Sequence, residues 1–347
     1  MACLNPTLKT PGLLLAYGPG DTGGRPTPPG VPFWVSPEIR LATLADAPGL
    51  IADPAGWEAR PWNRRAEVGT DYYVLVRVRN TDPERERHFL NFHAWVCDYT
   101  LGRVGPATST LPGIQQGFTG LSTATLPPHA NLADPQPMQV IQSSGLWTPT
   151  EEQRAKNGGH FCLGVVVWAE ADTGSTPSTP QDGFDQPGGY LDPTCDRRHG
   201  QGNMTIVPKP VGIRADLPIM LMVPVTDRCP LQARITLRPV KLDDGTGRLQ
   251  RVPELEQAAE EHGIPYLTLP EGTPFDRVGI GRDAESAGRT LTARLDPGDR
   301  LDLNLAFDGW PQEKPGDVYA VDVLTTDTVA KQRYGAARTY VLVTDRR

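Results

Sequence analysis

Glycine and proline are scattered so densely through this chain that a long helix has almost nowhere to form. Each supplies 36 of the 347 residues, above ordinary usage of roughly 7% and 5%. Proline removes a backbone donor and blocks helix interiors, and glycine supplies the positive φ of tight turns. Many short strands joined by turns are the natural outcome. At roughly 100–200 residues per domain, a chain of this length divides most readily into two.

The segments between the breaks read as strands. Asp71–Asn80, DYYVLVRVRN, puts Tyr72, Val74, Val76 and Val78 on one face. Tyr73, Leu75, Arg77 and Arg79 take the other face, which the pattern makes partly wet. The polar run from Asn80 to Glu84 and the next apolar segment, His88–Tyr99, predict a hairpin with a long loop. Residues 100–157 are rich in Gly, Pro, Ser and Thr and form a long insertion of the kind that often carries function. His160–Ala169, HFCLGVVVWA, is apolar on both faces, which predicts a strand covered on both sides. One cover is the sandwich core; the other is the insertion, the second domain or a partner. Asn203–Val207 reads as the strand that closes the first domain.

In the second half, Ile219–Val225, Arg234–Val240, Thr290–Leu295, Leu301–Phe307, Val318–Leu324 and Thr339–Val343 supply strands. Asp296-Pro297-Gly298-Asp299 is a turn. Pro253–His262 is the one convincing helix, with Pro253 in its first turn, Glu254 and Glu256 at its positive end and Gly263 at its C-terminal cap. The spacing predicts an all-β chain: two tandem immunoglobulin-like β-sandwiches with long Gly/Pro-rich loops and one short helix. The expected divisions are an irregular N-terminal arm over 1–30, a sandwich with long insertions over 31–208, and a second sandwich over 209–347.

Phe33-Trp34-Val35-Ser36-Pro37-Glu38-Ile39, Tyr73–Asn80, His160-Phe161-Cys162-Leu163 and Asn203–Val207 occur in that order. Together they resemble bacterial Ig-like modules related to the cell adhesion related domain found in bacteria. Those modules are similar in an SPDI-like opening, a YVRVRN-like strand and an HFCLL-like strand. The second half looks like a companion sandwich, ending in Gly316-Asp317-Val318-Tyr319 and Thr339–Val343. The resemblance covers most of 31–347 loosely. It implies a fold and an interaction or adhesion role, and it carries no catalytic residues.

Charge and motifs narrow the function classes. The formal net charge is −7, from 41 acidic and 34 basic residues. That balance argues against nonspecific nucleic-acid binding and against an anionic membrane surface. No segment offers the roughly 18–20 apolar residues that cross a bilayer. The N-terminus lacks a basic stretch, and its apolar run Leu13–Ala16 is short for a signal peptide. A cytoplasmic location is the default expectation, with a place in an exported or released particle as the other. Of five cysteines, Cys97 and Cys162 sit in apolar strands, while Cys195 and Cys229 lie in loops where a disulfide between them is one option.

There is no zinc-binding spacing, no EF-hand loop and no nucleophile elbow, and no cofactor is expected. Asp192, Cys195, Asp196 and His199, in DPTCDRRHG, form the best local cluster for a metal, against the plainer reading of a polar loop. Trp57 and Trp62, in GWEARPWNRR, and Trp147 lie in loop-like sequence. Exposed, such rings make interface anchors or sugar platforms; buried, they cap the sandwich ends. The resulting expectation is a non-enzymatic structural or protein-interaction protein, a subunit or decoration of a larger bacterial or phage-like assembly, with a protein partner or self-assembly. A carbohydrate- or other ligand-binding module is the alternative, and a metal-dependent hydrolase is a third.

Overall fold

The computed structural model describes residues 12–18, 20–25, 27–28, 31–59, 66–98, 100–102, 104–105, 109, 117–131, 134–155, 160–169, 191–223, 227, 229–271, 274–283 and 287–345. The chain is all-β and divides into two compact units. The first is drawn from 1–58, 63–98 and 103–203, the second from 59–62, 99–102 and 204–347.

Two sheets face each other in the first unit. One contains β1 (Leu13–Leu14), β3 (Tyr72–Asn80) and β2 (Ile39–Thr43), with β6 (Met138–Gln142) also paired to β3. The other runs β5 (Phe118–Ser122), β4 (Leu90–Asp98), β7 (Phe161–Trp168), β8 (His199–Gly202). A single core of Leu13, Ile39, Val74, Val76, Val78, Phe92, Leu163, Val165 and their neighbours lies between them. Both lateral gaps carry bridges, Val35 with Gly202 and Gly120 with Ser143. Those contacts cover backbone groups that an open edge would offer to another chain.

Several expectations change here. Leu13–Leu14 pairs with Arg79 and Asn80 of β3 and is fully buried, so this part of the supposed arm is integral to the first unit. Strands β3 and β4 do not form a hairpin, because they lie in opposite sheets. The Asn80 amide donates to the carbonyls of Arg85 and Pro127, fixing the connection that crosses between sheets. The face of β3 expected to be partly wet is also covered. Helix α1 (Ala47–Ala52) and a 3-10 turn at Gly56–Ala59 bring Ala47, Leu50 and Trp57 onto Leu75. Helix α2 (Glu151–Ala155) is a short exposed turn of the same unit.

The strand at 161–168 is buried at every position. Its core face is Phe161, Leu163, Val165 and Val167. On the opposite face, any side chain at Gly164 would collide with Val104 and Leu191. The second cover therefore includes Val104, from the 100–157 insertion, and Leu191 of this same chain.

In the second unit, one sheet runs β10 (Ala215–Met222), β14 (Arg300–Phe307), β12 (Val278–Gly281). The other runs β13 (Thr290–Leu295), β11 (Leu231–Val240), β15 (Val318–Asp327), β16 (Gln332–Thr344), β9 (Met204–Pro210). Phe307 of the first sheet meets Tyr319 of the second edge to face at 6.4 Å, which identifies the inner face. Strand β9 pairs parallel with β16, Thr205 opposite Thr339 and Lys209 opposite Val343. This corrects the expectation that it closes the first sandwich, and the expected boundary after residue 208 falls inside it. Helix α3 (Pro253–Glu261) appears where predicted, with Gly263 at φ +66 beyond its C-terminus.

Candidate functional site

Of the two readings open for the loop tryptophans, exposed platform or buried cap, Trp57 and Trp147 take the buried one. Trp57 is buried under the turn that carries it, and its indole nitrogen donates to the carbonyl of Pro37 at 2.7 Å. The Arg40 guanidinium stacks over its ring at 4.4 Å. Trp147 is buried in the main core, edge-on to Phe161 at 4.8 Å. A ring with both faces packed cannot stack on a sugar, so these two take the end-capping role. Trp62 lies outside the described residues.

The loop cluster at 192–199 is likewise committed to structure. Cys195 is part of a disulfide, and its partner is not Cys229, which is free and exposed. The carboxylate of Asp192 accepts from the backbone and hydroxyl of Thr194, at 3.2 and 2.5 Å. The backbone N–H of Asp192 donates to Nδ1 of His199 at 3.0 Å. Asp196 is held by the Arg198 guanidinium at 2.8 Å, with His199 Nε2 3.5 Å away. Burial alone would raise the Asp196 carboxyl; the His199 ring and the Arg198 hydrogen bond overcome it and hold the group at about 2. Among the described residues, no group of three or more His, Cys, Asp or Glu side chains is placed to hold a metal ion.

Two ionic centres escaped the reading of the sequence. In the first unit Arg77 has no exposed surface. Its Nε donates to Glu38 at 2.5 Å, its Nη1 to the carbonyl of Pro54 at 3.0 Å, and its Nη2 to Glu58. Glu38 also receives Arg79 at 2.7 Å. Burial works to raise the Glu58 carboxyl, but the Arg77 hydrogen bond and charge keep it below the ordinary carboxylate range. In the second unit Lys209 is fully buried, with both Glu313 oxygens 2.7 and 2.8 Å from its ammonium. Trp310 lies 5.2 Å from the same ammonium, and Glu313 also accepts from the backbone amides of Trp310 and Gly212. Period-2 alternation placed Lys209 on the face of Thr205 and Val207, which was the available signal. Both centres are held by bonds within their own unit.

Two features face outward. A cavity of about 720 Å³ runs along α3, lined by Leu249, Arg251, Leu255, Ala259, Ile264 and Tyr266, and Tyr266 is 76% exposed at its rim. In the first unit, Phe89 immediately precedes β4 with φ +47 and 42% exposure. Leu121, opposite Asn91 in the neighbouring strand, is 57% exposed. A bulky residue at positive φ is a genuine outlier, of a kind that clusters at functional positions.

No known protein family matches the chain, and no characterised protein matches it by sequence. Solved structures give distant likenesses. The CupB6 tip adhesin from Pseudomonas aeruginosa is 12% identical, with 81% of this chain and 93% of that one covered at a TM-score of 0.21. CfaE, the adhesive subunit of the CFA/I fimbria of enterotoxigenic Escherichia coli, is 9% identical, with 97% and 95% covered at 0.19. A family 123 glycoside hydrolase from Clostridium perfringens is 12% identical, with 42% of this chain covered at 0.25. The chain spans 23% of that hydrolase and 28% of the Bacteroides EndoBT-3987 structure. Likeness at these scores carries no argument about activity.

Proposed function

We propose that this chain is a non-enzymatic interaction protein, a structural subunit or decoration of a larger bacterial or phage-like assembly built on immunoglobulin-like sandwiches. The observation that carries this reading is Phe89. Its ring is held out to solvent by a backbone conformation that costs energy, beside a second exposed apolar side chain on a rigid strand pair. The Asn91 amide fixes it by donating to the Phe89 carbonyl at 2.6 Å. Exposed apolar groups on rigid elements are what a protein partner buries. The Cys195 disulfide favours an exported or released particle over a reducing cytosol.

The test is the native mass of the full chain in gently lysed source cells, with companions identified, for the wild type and Phe89→Asp. The expected result is a large particle with defined companions, from which the variant is lost. A wild-type species at the 37.7 kDa of the single chain refutes the proposal.

A second reading, a carbohydrate-binding module, draws on the Tyr266 cavity rather than on the buried tryptophans. An aromatic face beside Arg251, Glu256 and Glu260 suits a sugar ring and its hydroxyls. A glycan screen with no hit, or hits unaltered in Tyr266→Ala, removes it.

A further inference from the structure

The outer face of the five-stranded sheet of the second unit carries an array of arginines. Its register sets Arg294 of β13 opposite Gln232 of β11, and Thr292 opposite Arg234. Arg234 pairs with Thr326 of β15, and Thr326 with Arg333 of β16. Two steps along, Arg238, Asp322 and Arg338 form one row across three strands. Period-2 alternation, with the register shift of β16 against β15 between Thr325 and Thr326 resetting Arg333, puts all of these on the face turned away from Tyr319, Val321 and Val323. The array covers four strands, and Arg234 and Arg238 stand four residues apart. With Arg294 opposite Gln232, the rows run over six residues; at about 4.8 Å between strands and 3.4 Å per residue, that is a field of roughly 14 by 20 Å.

The field holds five guanidinium groups around one buried carboxylate. Asp322 takes Arg338 at 2.7 Å and Arg238 at 3.1 Å. Arg333 has its pKa lowered, by burial first and then by the Arg238 charge, with Asp322 acting against both. Arg234 is exposed, and the Arg294 side chain is 67% exposed, with Asp296 no nearer than 3.9 Å. The side chains between the arginines include Thr236, Thr290, Thr292, Thr326 and Gln232, with Leu324 opposite Thr236, each at least partly exposed. A concentration of positive charge of this kind stands out in a chain whose net charge is −7.

We propose that this arginine face binds an anionic polysaccharide, a linear sugar chain bearing repeated sulfate or carboxylate groups. Guanidinium groups pair with planar or tetrahedral oxyanions through two hydrogen bonds at once. Their regular placement matches a polymer with anions at repeated intervals, and the threonine hydroxyls and Gln232 amide between them match sugar hydroxyls. Leu324, only partly exposed, stands between Asp322 and Thr326 on its strand and does not make the clustered aromatic and apolar anchors of a protein interface core. The exposed rows also lack the aromatic platforms on which single-stranded nucleic acid stacks. The inference rests on the reading of the chain as an interaction protein, and a particle seen by native mass stands whether or not this face binds sugar.

The experiment measures binding of the full chain to sulfated dextran, polygalacturonate, neutral dextran, duplex DNA and polyglutamate at matched charge and several salt concentrations. Arg234→Ala/Arg294→Ala is the variant, since both side chains are exposed and hold no core contact. The expected result is salt-sensitive binding to one or both anionic glycans, no binding to neutral dextran, and at least about tenfold weaker binding by the variant. The glycan preferred, sulfated or carboxylated, identifies the anion. Absence of glycan binding at low salt, or equal binding by the variant, overturns the proposal. DNA or polyglutamate bound as tightly as the glycans also overturns it, by assigning the face to another class of polyanion.

Discussion

Arg77 in the first unit and Lys209 in the second are both cations with no exposed surface, yet their surroundings differ in kind. Arg77 spreads its charge through a planar fork over two carboxylates and a carbonyl. Lys209 sets a compact ammonium against one carboxylate. The fork tolerates loss of one arm, because the remaining bonds still satisfy a delocalised charge. Among the described residues the point charge pairs with one carboxylate, Glu313, which also anchors the amides of Gly212 and Trp310. Redundancy is therefore built in around Arg77 and absent around Lys209.

The largest expected effect follows from that asymmetry. Glu313→Gln leaves a buried ammonium without a countercharge and is expected to destabilise the second unit by about 3–5 kcal/mol. Glu38→Gln removes one of the two carboxylates around Arg77 and is expected to cost the first unit about 1–3 kcal/mol. Urea denaturation with hydrogen exchange resolved by strand separates the two units. Equal losses would break the comparison. Lys209→Met combined with Glu313→Gln sharpens it: the buried charge is gone, the Gln carbonyl still accepts from one of the two amides, which donate to different Glu313 oxygens, and part of the loss should be recovered.

The units should also fail at opposite ends of the pH scale. His93, in β4, stacks on Trp95 at 4.3 Å, and burial lowers its pKa to about 4. The unfolded chain takes up this proton near the ordinary 6.5 while the folded chain resists it. Stability of the first unit is therefore full above 6.5 and declines as pH falls toward 4. Asp196 adds a second decline from the ordinary 3.8 down to about 2, where its ionised partnership is lost. In the second unit, burial first, then Glu313 and Asp308, raise the Tyr319 phenol above its ordinary 10.0. Here the unfolded chain gives up the proton first, so stability declines as pH rises past 10. His93→Phe should flatten the 6.5-to-4 slope and Tyr319→Phe the alkaline one, each without touching the other. A mutant that flattens neither, in unfolding measured against pH, removes its residue from the account.

How much of this was legible beforehand depended on whether neighbours in sequence decide the matter. Alternation located β3 and β14, and local cap chemistry located α3, because each is decided within about ten residues. Strand β9 was found but given to the wrong sandwich. Its own residues fix a strand, whereas its partner, β16, lies more than a hundred residues away. Trp57 and Trp147 stayed open between an exposed and a buried reading for a related reason. Polar neighbours made them look exposed, and only the fold brings Pro37 and Phe161 against them. Asp322, an acid inside the apolar run VYAVDVL, and Arg77, between valines, were visible anomalies. Their meaning required the register that sets Arg238 and Arg338 beside one and the turn that carries Glu58 to the other.

The smallest expected effect tests whether strain and function coincide. Phe89 and Lys331 are non-glycine residues at positive φ, +47 in the first unit and +53 in the second. Lys331 sits in the exposed turn between β15 and β16, where a left-handed residue is a matter of turn geometry. Replacing it by glycine relieves a local cost of roughly 1–2 kcal/mol while adding some chain entropy to the unfolded state, for a net gain of about 0.5 kcal/mol. Phe89→Gly relieves the same strain and should give the same small gain, since a ring 42% exposed contributes little to the core. The two variants should part company in the assembled state, with Lys331→Gly retaining the native mass of the wild type and Phe89→Gly losing it. If Phe89→Gly instead lowers stability, the ring is there for packing, and the strain at this position is structural in origin, as it is at Lys331.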